Sequence, residues 1–248
     1  MSTLSSRFRK LRRRCGLLFW DIYKVFYLFW FRLKRYWGNL FVFLRGCFHK
    51  SDLSKIKNYT DLIICAHPDD ETIFFSGVIK ERKPFVVCMS HRGDPVRQKE
   101  FYQALAYWGL DGCMFNMIDV YRRYNWAWES HIIDIPLKKI AKHCPKLERV
   151  YTHNINGESD HRHHHGLGTA VGRIFKDYKI YMTAESLPEP TEAANPMYEE
   201  KCSILTQLYP SQYKWLAKGC DWFTRYLSQE EYQPFSPPEQ PVTDTRIS

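Results

Sequence analysis

Two clusters of histidine and carboxylate side chains give this 248-residue chain the groups that metal-assisted chemistry requires. The first is the run His-Pro-Asp-Asp-Glu at positions 67–71, and the second holds four of the ten histidines between His161 and His165. Neutral imidazole is the commonest metal ligand, and zinc accepts mixed sets of histidine and carboxylate while one position stays open for water. Both clusters therefore predict a site at which a metal ion activates water.

The spacing within the clusters indicates which side chains could divide this chemistry among them. His67 and Asp70 could supply two ligands and one histidine of the second cluster a third, which leaves Asp69 to take a proton from water. The alternative interpretation is an exposed histidine-rich loop and an aspartate pair that only caps a helix. Two such clusters in one domain favour the metal site.

Each cluster follows a segment with the pattern of a strand. Residues 62–66 form a continuous apolar run, which is typical of a parallel sheet covered on both faces, and residues 148–153 are predicted as another strand. In open α/β sheets, sites form at the carboxyl ends of the strands. The two clusters are therefore expected to meet at one edge of the sheet.

Strands and helices alternate along the rest of the chain, which predicts an α/β fold with a Rossmann-like three-layer α/β/α arrangement and a mostly parallel sheet. The catalytic domain is assigned to residues 58–228, after a polar linker at 51–59 and before a Pro-rich, disordered tail at 229–248. Residues 191–227 are expected to be helical. The predicted strands are 62–66, 84–90, 113–120, 148–153 and 179–184, and the other predicted helices are 72–80, 96–108, 130–143 and 166–178.

Residues 1–45 account for the basic character of the chain, whose net charge is +9. They hold eleven of the 36 Lys and Arg residues but only one of the 27 acidic residues. No apolar run in this segment is long enough to span a bilayer, and none has the core and cleavage site of a signal peptide. On a helix six of its charged residues fall on one narrow stripe, and aromatic residues cover the remaining surface. The stripe consists of Lys10, Arg14, Asp21, Lys24, Arg32 and Arg35.

This N-terminal amphipathic helical segment, residues 1–50, predicts peripheral attachment to an anionic membrane surface through residues 7–45, because a basic stripe with aromatic flanks suits the headgroup boundary. The alternative is a helix that packs on the protein's own core or on a partner subunit. Nucleic-acid binding is not expected, since it would leave the aromatic surface exposed. Eight cysteines without regular spacing indicate a reducing compartment, so the expected location is the cytoplasmic side of a membrane.

The first cluster with its preceding residue, Ala66-His-Pro-Asp-Asp-Glu71, resembles the signature of the PIG-L/LmbE-like family of zinc-dependent N-acetylglucosaminyl deacetylases. The resemblance covers roughly residues 60–227. It includes the loop Ser90-His-Arg-Gly-Asp94 and the helix start from Arg97 to Glu100. It implies the same α/β fold that the alternating pattern predicts.

Many family members carry a second motif of the form Gly-Glu-x-Gly-His-x-Asp-His. Residues 157–164 align with it without a gap, although Asp160 replaces the glycine and His163 replaces the aspartate. This alignment places His164 at the position of the third metal ligand. A shift of the loop would put His163 or His165 there instead.

The resemblance also implies roles for the individual side chains. His67, Asp70 and His164 would hold Zn²⁺ or another divalent metal. Asp69 would be the general base, and His161 would polarise the carbonyl group or stabilise the oxyanion. The implied substrate is an N-acetylated amino sugar.

Further polar residues are expected at the same edge of the sheet. Arg92, Asp94 and Asp119 could bind sugar hydroxyls or a phosphate, with exposed loop positions as the alternative. Glu71 either orients a neighbouring side chain or is an ordinary acidic residue of a first helical turn.

The leading hypothesis is a metal-dependent hydrolase that removes acetyl from an N-acetylated amino sugar. Combined with the N-terminal segment, it favours N-acetylglucosamine on a lipid-linked glycan or glycolipid at a membrane surface. One alternative is a deacetylase of a soluble amino-sugar conjugate. Another is a catalytically idle protein that keeps the fold and binds glycans or acts as a scaffold.

Overall fold

The computed structural model describes residues 51–117, 119, 128, 130–158, 161–184, 187, 196–212 and 221–235. The predicted N-terminal amphipathic segment, Asp160 and the tail beyond residue 235 lie outside the described residues. Among the helices that are described, none is long and apolar enough to cross a membrane.

The described strands form one sheet in the order β3-β2-β1-β4-β5-β6. The pairs among β1 to β5 are parallel, whereas β6 is antiparallel to β5. The predicted α/β fold with a mostly parallel sheet is therefore confirmed. The strands are β1 (Asp61–Cys65), β2 (Phe85–Ser90), β3 (Gly112–Met117), β4 (Arg149–Thr152), β5 (Lys179–Thr183) and β6 (Tyr232–Pro234).

Helices cover both faces of the sheet, as the three-layer prediction requires. Successive residues of β1 point to opposite faces, so Ile63 and Cys65 pack in one apolar cluster, and Leu62 and Ile64 in the other. The first cluster contains residues of α1, α2, α5 and α6, and the second contains residues of α3 and α4. The helices are α1 (Asp70–Arg82), α2 (Pro95–Trp108), α3 (Ser130–Lys142), α4 (Arg162–Ile174), α5 (Pro196–Leu208) and α6 (Asp221–Ser228).

Helix α4 begins earlier than the sequence pattern predicts. The prediction treats the chain up to His165 as a loop and starts the helix at Gly166, but the helix begins at Arg162. The N–H of His165 donates to the carbonyl of His161 at 3.1 Å, which closes the first turn. The second histidine cluster therefore lies on the first turn of a helix, which fixes the directions of its side chains.

Both ends of the folded domain extend beyond the predicted boundaries at 58 and 228. The predicted linker at 51–59 contains a short 3₁₀ helix, Ile56–Asn58, and buries Leu53 and Ile56 in the core. Within the predicted disordered tail, β6 adds an edge strand to the sheet, so that prediction is wrong for residues 232–234. Pairing with a distant strand stabilises this segment, although its own composition is typical of disorder.

A buried ion pair holds the segment before β6 against the helical layer. The Lys201 ammonium lies 2.6 Å from the Glu230 carboxylate, and these side chains are 0% and 4% exposed. Lys201 also donates to the carbonyls of Ile73 and Tyr226, and Glu230 accepts from the N–H of Gly77. The pair thus links α1, α5 and α6 to the chain that forms the edge strand.

Lys201→Met is expected to lower the free energy of unfolding by about 3–5 kcal/mol, because it leaves the carboxylate of Glu230 buried without its cation. Urea denaturation followed by circular dichroism measures this loss. Lys80→Met is the matched control, since Lys80 pairs with Glu200 at the surface and its side chain is 47% exposed. Its loss should stay below about 1 kcal/mol. Equal losses in the two variants would contradict the role given to the buried pair.

Candidate metal and active site

The two polar clusters meet where the strand order reverses, between the neighbouring strands β1 and β4. His67 follows the carboxyl end of β1, and His153 directly follows β4. The first turn of α4 brings His164 to the same place. A switch point of this kind opens a crevice at the carboxyl edge of an α/β sheet, which is the expected location of a ligand site.

Three of the side chains form a nearly equilateral triangle of ligand atoms. His67 Nδ1 lies 3.5 Å from Asp70 Oδ2, His164 Nε2 lies 3.4 Å from the same oxygen, and the two nitrogens are 3.4 Å apart. The edge of a zinc tetrahedron is about 3.3–3.4 Å for bonds of about 2.0–2.1 Å. The triangle therefore fits one face of such a tetrahedron and leaves its fourth corner for water or substrate.

The surroundings of His164 favour positive charge in this triangle. Burial disfavours a charged imidazole, but the carboxylates of Asp70 and Glu158 outweigh it and raise the pKa of His164 to about 10. The pKa of Asp70 is held well below its usual range, because His164 and His153 outweigh the effect of burial. A divalent cation and this proton compete for the same nitrogen, so metal binding would release the proton.

The carboxylate of Glu158 holds the ring of His164 on the side away from the triangle. Its Oε2 lies 2.6 Å from His164 Nδ1 and 3.0 Å from His153 Nδ1, so one carboxylate holds both rings. The other oxygen accepts hydrogen bonds from the N–H of Asn154 and the hydroxyl of Thr183. A carboxylate behind a metal-ligating histidine fixes the ring and increases its basicity.

His153 packs beside the triangle and contacts Asp70. Its Nε2 lies 3.2 Å from Asp70 Oδ2, and the ring is fully buried. Sequence reasoning missed both His153 and Glu158 as site residues. Each carried a usable signal, since His153 is the last residue of the predicted fourth strand and Glu158 belongs to the Gly-Glu start of the second motif.

Asp69 has an unusual backbone conformation at the start of α1. It occupies the N-cap position of α1 with φ 112° and ψ −28°, but its side chain makes no capping hydrogen bond. Its carboxylate lies 3.3 Å from Arg97 Nη2. Burial raises the pKa of Asp69 to about 7, against the opposing effect of Arg97. The interpretation as a simple helix cap is therefore wrong for the side chain of Asp69, and its role as a general base stays a prediction.

Arg97 and Glu71 hold Asp69 in this conformation. Arg97 also donates to the carbonyl of Pro68 and pairs with Glu100. Glu71 is fully buried and accepts the N–H of Asp69 at 3.1 Å and the hydroxyl of Tyr209. This arrangement supports the orienting role for Glu71 rather than that of an ordinary acidic residue of a first helical turn.

The ring of His161 packs against the rings of both His164 and His67. Its ring centroid is 4.3 Å from that of His164 and 4.8 Å from that of His67. Burial, together with these two neighbours, lowers the pKa of His161 to about 2. It is therefore a neutral imidazole, which still carries one N–H that can donate to an oxyanion.

The remaining histidines of the second cluster differ in burial. His163 is buried, and its Nδ1 lies 3.1 Å from Nε2 of His67, on the side away from the triangle. His165 is exposed. The alternative of a solvated histidine loop is thus wrong for His163 and His164. Of the two alternative third ligands, neither takes the place of His164 in the triangle.

The predicted substrate-binding residues lie in three different settings. Arg92 donates to the hydroxyl of Ser51 at 2.7 Å, and Asp94 caps α2 by accepting the N–H groups of Val96 and Arg97. Asp119 lies among the histidines, 2.9 Å from Nε2 of His91. Their binding of sugar hydroxyls or phosphate stays a prediction.

Ligand-type side chains around His67 form overlapping groups in the part of the chain that the structure describes. Within each group, the ligand atoms lie within 4.8 Å of one another. The groups are His67, His161 and His164; His67, Asp119 and His163; and Asp70, His153 and His164. Their overlap means that one compact cluster surrounds His67 on both sides of its ring.

Comparison with known proteins identifies a family model that matches this chain. Residues 62–175 match the family model described as PIG-L, GlcNAc-PI de-N-acetylase. The resemblance to the PIG-L/LmbE-like deacetylases is therefore confirmed, and the matched range contains both clusters of the site. No curated protein matches the chain in sequence.

Several solved structures are similar to this chain at low sequence identity. A deacetylase of teicoplanin biosynthesis is 17% identical over 66% of this chain and 89% of its own, with a TM-score of 0.45. The N,N'-diacetylchitobiose deacetylase from Pyrococcus horikoshii is 14% identical over 74% and 87%, with a TM-score of 0.42. The 4-carboxy-2-hydroxymuconate hydratase GalB from Pseudomonas putida KT2440 is 16% identical over 66% and 82%, with a TM-score of 0.44.

Glu158→Gln is expected to weaken zinc binding by about 10- to 100-fold, because the amide no longer holds His164 with a full negative charge. Competition with a chromophoric chelator measures the affinity, and thermal unfolding checks that the variant is folded. Glu199→Gln alters an exposed glutamate on α5 and should bind zinc like the unmodified protein. Unchanged affinity in Glu158→Gln would show that the carboxylate does not support the ligand.

Proposed function

We propose that this protein is a divalent-metal-dependent amide hydrolase, with zinc as the preferred metal, that removes the acetyl group from an N-acetylated amino sugar. The observation that carries the proposal is the triangle of His67, Asp70 and His164, whose edges of 3.4–3.5 Å suit a tetrahedral metal with one open position. The family model, whose description names a GlcNAc-PI de-N-acetylase, supports the reaction class.

The chain's own residues supply the proton transfers of such a hydrolysis. A divalent cation in the triangle would lower the pKa of water and polarise the amide carbonyl. Asp69 takes a proton from the attacking water as its oxygen bonds to the carbonyl carbon. The N–H of His161 donates to the carbonyl oxygen as negative charge develops there.

Collapse of the tetrahedral intermediate breaks the bond between carbonyl carbon and nitrogen. Asp69 then returns its proton to the leaving nitrogen, so the products are acetate and a free amino sugar. Arg97 keeps the carboxylate of Asp69 in one orientation throughout. Its charge also favours the ionised form, in which Asp69 can accept a proton.

We further propose that the amino sugar is carried by a lipid, with N-acetylglucosaminyl phosphatidylinositol as the first substrate to be tested. The family model's description, which names GlcNAc-PI, supports this choice. The basic and aromatic segment before residue 50 also supports it, because a substrate in the membrane requires an enzyme at the membrane surface. Peripheral attachment on the cytoplasmic side belongs to the same proposal.

Asp69→Asn is expected to lower kcat by about 10²- to 10⁴-fold, because it removes the group that accepts the proton, while the metal content stays unchanged. Acetate release from N-acetylglucosaminyl phosphatidylinositol in mixed micelles measures the rate, and atomic spectroscopy measures the metal. Asp177→Asn, at an exposed position, serves as the control. Full hydrolysis by Asp69→Asn would rule out the proposed base.

The same assay separates the alternative functions. Faster release of acetate from soluble N-acetylglucosamine conjugates than from the lipid would favour a soluble substrate. An unmodified protein that contains metal and binds the glycan but releases no acetate from either would favour the catalytically idle alternative. Loss of the lipid-linked activity after dialysis against a chelator, with recovery on adding zinc, would support the proposal.

A variant of the full chain tests attachment to the membrane. Neutralising the five basic residues of the N-terminal stripe to Gln should weaken binding to anionic vesicles by at least about 100-fold, since each basic residue near such a surface contributes about 1 kcal/mol. Co-sedimentation at low and high salt measures binding. The substituted residues are Lys10, Arg14, Lys24, Arg32 and Arg35.

The matched control replaces five exposed lysines of the folded domain by Gln and therefore makes the same change in net charge. The control should bind vesicles like the unmodified protein. Equal weakening in both variants would mean that the net charge, and not the N-terminal stripe, governs the attachment. The control residues are Lys57, Lys139, Lys142, Lys146 and Lys176.

A further inference from the structure

The ring of His67 has ligand-type side chains on both of its edges. Its Nδ1 belongs to the triangle with Asp70 and His164, whereas its Nε2 faces a separate group. On that side, His163 Nδ1 lies 3.1 Å away and Asp119 Oδ2 lies 3.8 Å away. The proposed reaction gives neither His163 nor Asp119 a part in bond making or breaking.

Asp119 is the centre of this second group. Its Oδ2 lies 2.9 Å from Nε2 of His91, and its Oδ1 lies 3.6 Å from Nδ1 of His163. Three imidazoles thus surround one carboxylate: His67 follows β1, His91 follows β2, and His163 lies on α4. The separations of 3.1–3.8 Å between His67, His163 and Asp119 are again close to the tetrahedral edge of about 3.3–3.4 Å.

Two features show that the rings are held in place around Asp119. His163 is stacked on Trp128, with ring centroids 4.6 Å apart and planes inclined by 9°. His91 adopts a left-handed backbone with φ 61°, a conformation that side chains with a Cβ rarely take. Such a conformation is retained where the surrounding structure requires it. Here the turn directs the imidazole of His91 to Asp119.

We propose that Nε2 of His67, Asp119 and His163 form a second divalent-cation site beside the triangle, with His91 holding the carboxylate of Asp119. When both sites are filled, the imidazole of His67 loses its N–H proton to solvent and bridges the two cations. Two imidazoles and one carboxylate suit Zn²⁺, Co²⁺ or Ni²⁺ rather than Mg²⁺ or Ca²⁺. The second site binds more weakly than the triangle, because the two cations repel each other. Asp119 is also more accessible than Asp70, with 21% of its side chain exposed against 5%.

The test measures metal stoichiometry, independently of catalysis. Equilibrium dialysis and calorimetric titration of the full-length protein with Zn²⁺ should give one tight and one weaker equivalent. His163→Asn and His91→Asn should each lose the weaker equivalent and keep the tight one. His165→Asn, an exposed position on the same helical turn, should keep both. Titration with Co²⁺, followed by its visible absorption, should show the same pattern.

The outcomes distinguish this inference from the proposed function, with which it shares His67. Saturation of the unmodified protein at one equivalent overturns the second site and leaves the first intact. Two equivalents in His163→Asn and His91→Asn, with thermal unfolding midpoints unchanged, also overturn it. Absence of any tight equivalent in the unmodified protein would instead contradict the metal dependence of the proposed hydrolase.

Discussion

The site depends on the burial of two carboxylates, Asp70 and Glu158, which are 4% and 2% exposed. An ionised carboxylate that is removed from water is costly unless positive charge or hydrogen-bond donors surround it. The imidazoles of His153 and His164 lie between these two carboxylates. The two carboxylates therefore favour positive charge between them, and a proton on His164 or a bound cation supplies it. This electrostatic preference explains why the histidines are grouped here.

The fold adds a second contribution to the same electrostatics. Helices α1 and α4 both begin at the site, and a helix N-terminus carries a partial positive charge with free N–H groups. One of these N–H groups, that of Asp69, donates to the carboxylate of Glu71. A site that combines two helix N-termini with a cation favours negative charge on a bound ligand, as the oxyanion of amide hydrolysis and the product acetate require.

Much of this architecture could be predicted from the sequence, because its strongest patterns are local. The apolar run of β1 is buried on both faces of the sheet. Its sequence is therefore apolar throughout and predicts a strand without knowledge of the neighbouring elements. His67, Asp69 and Asp70 follow that run directly, which placed them at the carboxyl edge. Gly109, directly after the predicted helix 96–108, ends α2 with the left-handed conformation of a C-cap, with φ 65°.

The parts that could not be predicted depend on contacts between distant residues. Three consecutive histidines have no helical apolar pattern, so they did not predict that α4 begins at Arg162. The helix is favoured by distant contacts, in which His163 packs on Trp128 and His164 pairs with Glu158. Strand β6 is short and contains Pro234, so only its pairing with β5 identifies it as a strand.

The position of His67 between two groups has a consequence for the strength of the first. An imidazole is a better ligand at one nitrogen when its other N–H donates to an acceptor, because this hydrogen bond increases the electron density of the ring. Nε2 of His67 faces His163 and, beyond it, the carboxylate of Asp119. With the N–H donated to this side, Nδ1 binds a cation in the triangle more strongly. A cation on the Nε2 side withdraws electron density from the same ring and weakens that bond. Because one imidazole belongs to both groups, a cation bound on the Nε2 side changes how strongly His67 binds a cation in the triangle.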